Sequence, residues 1–232
     1  MHSDPTKIIQ PSFFFRGFEI GEPITTLTDW MIAAMCFYAF WRLRKSDQKG
    51  PTFTFFQVFF VLTGIGTFCG GLFGHMLIHQ LSPQYKLIGF YTGMFAVAAI
   101  ERSAMFHANR IIKPVVGRIF LVINIVELVF MLVFTTVTLH FKYVEYHLAY
   151  GFLIVVFFFH LYVYLRTSDR GSRIMLWNTI LLLMMVFVFN YPVIIHDYFN
   201  HRDLAHILMV ISVWTMLRAS LVMGKTQIEP TS

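Results

Sequence analysis

Seven stretches of about 20 apolar residues run almost end to end through this chain, and that length is what a helix needs to cross about 30 Å of hydrocarbon. They fall at about 24–43, 54–79, 86–108, 116–139, 147–165, 174–196 and 203–223. Breaker and turn residues separate them, as in "RKSDQKGP", "LSPQY", "IIKPVVG" and "RTSDRGSR". The runs are continuous, as in "LLLMMVFVF" and "FLIVVFFF", whereas a membrane β-barrel alternates apolar and polar residues in segments of about ten. The expected fold is therefore all-α, a seven-helix bundle spanning a membrane. With 57% hydrophobic and 13% charged residues, the chain has too little polar surface to coat a water-soluble globule.

Lys and Arg predict the orientation. Thirteen of the 18 fall on one side, in loops one, three and five or near the C-terminus, and five fall on the other. The positive-inside rule then puts the C-terminus in the cytoplasm and the N-terminus outside. The net charge of +6 reads as topology and attraction to anionic lipid, and nothing in its pattern suggests nucleic acid. The expected organisation is an extracytoplasmic tail over 1–23, a transmembrane domain over 24–223 and a cytoplasmic tail over 224–232. Residues 1–23 hold only a three-Phe cluster, without the longer apolar core of a signal peptide. Compactness and the lack of sorting signals point to a bacterial inner membrane. Cys36 and Cys69 lie inside apolar runs, and the oligomeric state is not legible.

The histidines are distributed unevenly. His75 and His79 close the second span in "FCGGLFGHMLIHQL", and His196, His201 and His206 surround the last outer loop. His75 and His79 are one helical turn apart, a spacing that lets two imidazoles face one metal ion. Asp203 and His206 are three apart at the head of the seventh span, where a carboxylate binds a metal or orients the imidazole. Asp29 lies deeper in the first span than a capping role requires, so it should point inward toward a partner. Glu22, just before Pro23, suits the positive end of a helix dipole. His140 and His147 read as interfacial, and Glu127 as a structural glutamate. Gly66, Gly70 and Gly74 recur every four residues and should let the second span approach a neighbour closely.

The opening "EPITTLTD", the glycine-rich second span leading to "GHM" and "HRDLAHIL" at the seventh span together resemble the alkaline-ceramidase and adiponectin-receptor (CREST) superfamily. The architecture covers nearly the whole chain, and the motifs amount to a dozen residues. The resemblance implies a zinc ion held by three histidines, a serine that assists and an aspartate in the proton transfers. His75 matches the ligand of span two and His206 the second ligand of span seven. Arg202 stands where the other histidine would be, with His201, Asp203 and His79 as available replacements. Gly71 stands at the serine position and Lys86 at the aspartate position. Glu22, Thr25, Thr28 and Asp29 match the opening motif, which in ceramidases shapes a calcium-binding and packing region.

The expected function is a zinc-dependent hydrolase acting on a lipid amide or ester. His75, His206 and either Asp203 or His79 are the expected zinc ligands, and Asp29 or Asp203 the proton-carrying carboxylate. The alternative is a non-enzymatic seven-helix protein that binds lipid or metal. Gly71 and Lys86 remove the grounds for favouring ceramide itself.

Overall fold

The computed structural model describes residues 10–191 and 194–224. Residues 1–9 and 225–232, most of the two expected tails, lie outside the described residues. Seven long helices are present among the described residues: α1 Pro23–Arg44, α2 Pro51–Met76, α3 Lys86–Ala108, α4 Pro114–Thr138, α5 Lys142–Thr167, α6 Arg170–Asn190 and α7 His201–Val222. Five of them, α2 and α4–α7, are long and apolar enough to cross a membrane, and the chain is an all-α integral membrane protein. The other two, α1 and α3, have 22 and 23 residues, or about 33 Å of helix. They carry Asp29 and the Glu101–Arg102 pair, which lower their apolar character.

The boundaries follow local chemistry. Pro starts α1, α2 and α4, where its missing N–H costs nothing. Helix α6 ends at Asn190, short of the expected 196, because Tyr191 precedes a proline and adopts an extended conformation. Two stretches are π-helical, Gly70–Met76 at the end of α2 and Tyr150–Val156 within α5. The three-Phe cluster forms an antiparallel hairpin, β1 Phe13–Phe15 with β2 Phe18–Ile20. Positive φ at both Arg16 and Gly17 gives the turn twist that suits a two-residue hairpin. A second short hairpin, β3 Ile194–His196 with β4 Phe199–Asn200, leads into α7.

Helices α1, α2, α3, α5, α6 and α7 pack in a ring that closes through α1 on α7, and α4 lies outside it against α3 and α5. Helix α3 is central, with Ala96–Ile100 all buried, while α4 exposes Val122, Val126, Val129, Val133 and Val137. Exposed apolar residues of this kind are what a lipid-facing helix requires. The glycine expectation holds in part. A Cβ on Gly66 would meet Thr92 Oγ1 of α3 at 2.9 Å, so α2 and α3 approach closely there, whereas Gly74 has nothing within 4 Å.

At the end of the bundle opposite His75 and His206, Asp169 ties three elements together. Its carboxylate accepts from the Ser172 amide at the start of α6 (2.6 Å) and the Gly224 amide beyond α7 (2.9 Å), and lies 3.4 Å from His107 Nε2 of α3. Burial alone would raise its pKa, but the His107 bond and the two amides hold the carboxyl well below the usual carboxylate range. A depressed carboxylate stabilises the fold above its unfolded value of about 4 and loses that contribution as pH falls through the folded value. Asp169→Asn should therefore destabilise the protein by about 1–2 kcal/mol at neutral pH. The gap to wild type should close on acidification in thermal melts followed at both pH values.

Candidate functional site

The site begins where the chain crosses from β2 into α1. Gly21 donates its amide to Met76 O (3.0 Å) at the end of α2, and a Cβ there would fall 2.7 Å from His75 O and 2.5 Å from Ile78. Only glycine lets the chain pass so close. Glu22 follows with φ 36°, a left-handed conformation that costs a non-glycine residue on the order of 1–2 kcal/mol. The capping expected of Glu22 is not made by its side chain. Its carboxylate instead accepts from His75 Nδ1 and lies 3.6 Å from Arg202 Nη1. Gln10 does the capping from a distance, its Oε1 receiving the Ile24 and Thr25 amides (3.3 and 3.4 Å).

Helix α1 then presents Thr25, Thr28 and Asp29, at i, i+3 and i+4, to α2 and α7. Thr28 donates its hydroxyl to Thr25 O (3.0 Å), so its oxygen accepts from His206 Nδ1 (2.9 Å). His75 Nδ1 faces a carboxylate and must carry a proton as well. Both imidazoles thereby carry a proton on Nδ1, and in the neutral ring each Nε2 then keeps its lone pair. The two Nε2 atoms lie near one group: His75 Nε2 is 3.7 Å from Asp29 Oδ2, and His206 Nε2 is 3.5 Å from Asp29 Oδ1. The ring centroids are 6.5 Å apart. Side-chain exposures of 21% for His75 and 15% for His206 leave the cluster reachable.

Three Lewis bases thus converge with no hydrogen bond among them. Among the described residues no group of three or more His, Cys, Asp or Glu side chains is arranged so that it could hold a metal ion. The two His–Asp separations, 3.7 and 3.5 Å, lie a little above the about 3.4 Å that nitrogen and oxygen ligands of a tetrahedral zinc ion keep at ordinary bond lengths. Locking each Nδ1–H with a carboxylate or hydroxyl is also the outer support that metal-bound histidines require. Glu22 lies outside the spans. Burial would raise its pKa, but the His75 bond and the charges of His75, Arg202 and Lys86 outweigh that and lower it, keeping the carboxylate ionised to hold His75.

Asp203 and His79, both expected to join these histidines, spend their side chains on other partners. Asp203 is fully buried, and three donors occupy its oxygens: Thr25 Oγ1 (2.8 Å), Gln10 Nε2 (2.6 Å) and the Asn200 amide (2.8 Å). It completes a capping box with Asn200 and ties α7 to α1. His79 does not share a face with His75, because the helix ends at Met76. Its Nε2 turns toward the hairpin side, 3.3 Å from Ser12 Oγ and 3.7 Å from Glu19 Oε1. His201 is buried, and its Nδ1 has no partner among the described residues. At Gly71, a Cβ would stand 3.1 Å from Asp29 Cβ and 3.0 Å from the Trp30 ring, so the missing side chain is what lets Asp29 approach α2. A cavity of about 690 Å³ lies at the other end of the bundle, lined by Lys49, Thr52, His107 and Arg110 among others, away from this cluster.

Gln10 had no signal in the sequence, and Asp29 was legible as an inward-facing carboxylate but not as the group both imidazoles address. In the comparisons with known proteins, residues 24–225, α1 through the end of α7, match the profile of a family described as "Family of unknown function (DUF6962)". No curated protein and no solved structure matches the chain.

Proposed function

The chain belongs to that family of unknown function, DUF6962, so its chemistry has to be read from its own side chains, and we propose that it is an intramembrane zinc-dependent hydrolase of a lipid amide or ester. One observation carries this reading: the Nε2 atoms of His75 and His206 both lie by the Asp29 carboxylate, at 3.7 and 3.5 Å, with each Nδ1–H held from behind. His75, His206 and Asp29 would hold the ion, and Asp29 takes the third place that spacing had assigned to Asp203 or His79. Zinc in such a site supplies Lewis acidity toward a carbonyl and makes water acidic enough to lose a proton near neutral pH.

The chain's own groups supply the rest. Glu22 fixes the tautomer of His75, and Thr28 that of His206. Asp29 would hold the ion through one oxygen, which leaves its other oxygen to receive and return a proton in a setting sheltered from water. Arg202 contributes a cation beside Glu22, where a polar or anionic headgroup would sit.

The second reading, a binding protein without hydrolytic activity, draws on Gly71 and Lys86. A serine side chain at Gly71 would be crowded by Trp30 and Asp29, and Lys86 lies where the resembling family has a carboxylate. Zinc measured by mass spectrometry on protein purified without a histidine tag or added metal, together with turnover of ceramide-like amides and lysolipid esters, separates the two. Metal with turnover supports the hydrolase, metal without turnover supports the binding protein, and no stoichiometric metal defeats the hydrolase and leaves a lipid-binding protein.

The proposed setting is seven spans with the site on the extracytoplasmic side of a bacterial inner membrane. In a variant lacking Cys36 and Cys69, single cysteines at Ser46 and Ser168 should resist an impermeant thiol reagent applied outside, and one at Ser82 should react. The opposite pattern would put the site on the cytoplasmic side.

A further inference from the structure

A second cluster of ionisable groups lies inside the bundle, where α3, α4 and α5 meet. His147, expected at the interface, is fully buried. Its Nε2 lies 3.0 Å from Met94 O, and a carbonyl only accepts, so Nε2 carries a proton. Its Nδ1 lies 2.7 Å from Glu127 Oε2, a distance that requires one proton between them. Glu101 on α3 is fully buried beside this pair. Its Oε2 accepts from Asn124 Nδ2, and Asn124 Oδ1 in turn accepts from Arg102 Nε (2.9 Å). The other oxygens, Glu101 Oε1 and Glu127 Oε1, are buried with no partner among the described residues.

A glutamate kept for structure would have both oxygens satisfied. Here the backbone makes room for one that does not. Gly151 sits in the π-helical stretch of α5, and a Cβ there would run into Val97 Cγ1 and stand 2.7 Å from Glu101 Oε1. The charged and titratable groups facing Glu101 are Arg102 on α3, Glu127 on α4, and His147 and Tyr150 on α5. Arg102 and the imidazole balance two carboxylates at most, and they leave Oε1 of each without a donor.

We propose that Glu101, Glu127 and His147 form a proton-binding site in the bundle interior, separate from the Asp29 cluster, with Glu101 Oε1 as the atom that takes up and releases the proton. Uptake forms one O–H bond and release breaks it, with no electron transferred. Ionisable residues held inside a membrane bundle in this way serve proton relays. The site is independent of any metal at His75 and His206.

The test is a proton-uptake titration of the full-length protein in detergent, combined with its infrared spectrum in the carboxylic-acid carbonyl region. Wild type should show a band from a shielded carboxylic acid that disappears as pH rises. Glu101→Gln should remove that band and take up about one proton fewer, with helicity unchanged. Absence of the band in wild type, or an unaltered band and proton count in Glu101→Gln, overturns the proposal. If Glu101→Gln does not fold, Gly151→Ala decides the matter, because it keeps every titratable group and places a methyl against Oε1. A displaced band or midpoint supports the site, and an unmoved one overturns it.

Discussion

His75→Ala, His206→Ala and Asp29→Leu should each abolish most of the bound zinc, and the double His75→Ala/His206→Ala variant should be little worse than either single change. Removing one donor from a three-donor set leaves two, too few for tight binding, so the losses do not add. Asp29→Asn is the sharper probe, since it retains shape and removes the charge. It should lower metal occupancy at least tenfold at limiting zinc while the helices still insert and pack, a change of about 1.4 kcal/mol in binding. Glu22→Gln acts one step behind the proposed metal. It still accepts from His75 Nδ1 but does so more weakly, and outer-shell losses of this kind cost about 10–100-fold in metal affinity. Occupancy by mass spectrometry across a zinc titration separates these cases. His79→Ala should bind as wild type does, because His79 faces Ser12 and Glu19. Equal loss from His79→Ala would restore it as a ligand.

Asp203→Ala should be among the most destabilising single changes in the chain. The substitution strands three buried donors, on Thr25, Gln10 and Asn200, and removes the capping box of α7 together with its tie to α1. Unsatisfied buried donors cost about 1–3 kcal/mol each, so a total loss of about 3 kcal/mol or more follows. Thr25→Ala removes one of the three bonds and should cost about 1 kcal/mol. Thermal unfolding in detergent measures both. The decisive contrast is with metal occupancy in Asp203→Asn, which retains an acceptor and should bind zinc nearly as wild type if Asp203 is a tie between helices. Loss of zinc with stability retained would place Asp203 among the ligands.

Hydrophobic periodicity and run length determined the all-α membrane architecture, because hydrocarbon forces every backbone polar group into an internal hydrogen bond and so demands long apolar helices. Asp203 was also legible as a cap in principle, since Asn200 followed three residues later by an acid is a capping-box spacing. Those are local properties of the chain. What the sequence alone could not determine depends on which helices touch. The meeting of Asp29 with His75 and His206 requires α1 to lie between α2 and α7, and Gly71 to leave room for it. Gln10 reaches Asp203 across 193 residues, a contact that no spacing rule anticipates. His79 looked paired with His75 only on the assumption that α2 continues past Met76, and the π-helical last turn removes that assumption. His147 looked interfacial by position, yet α5 packs it between α3 and α4, against Met94 O and Glu127. A side chain's charge and size are written in the sequence, but the partner that makes a buried charge tolerable comes from another helix, so only the tertiary structure decides which buried group carries chemistry.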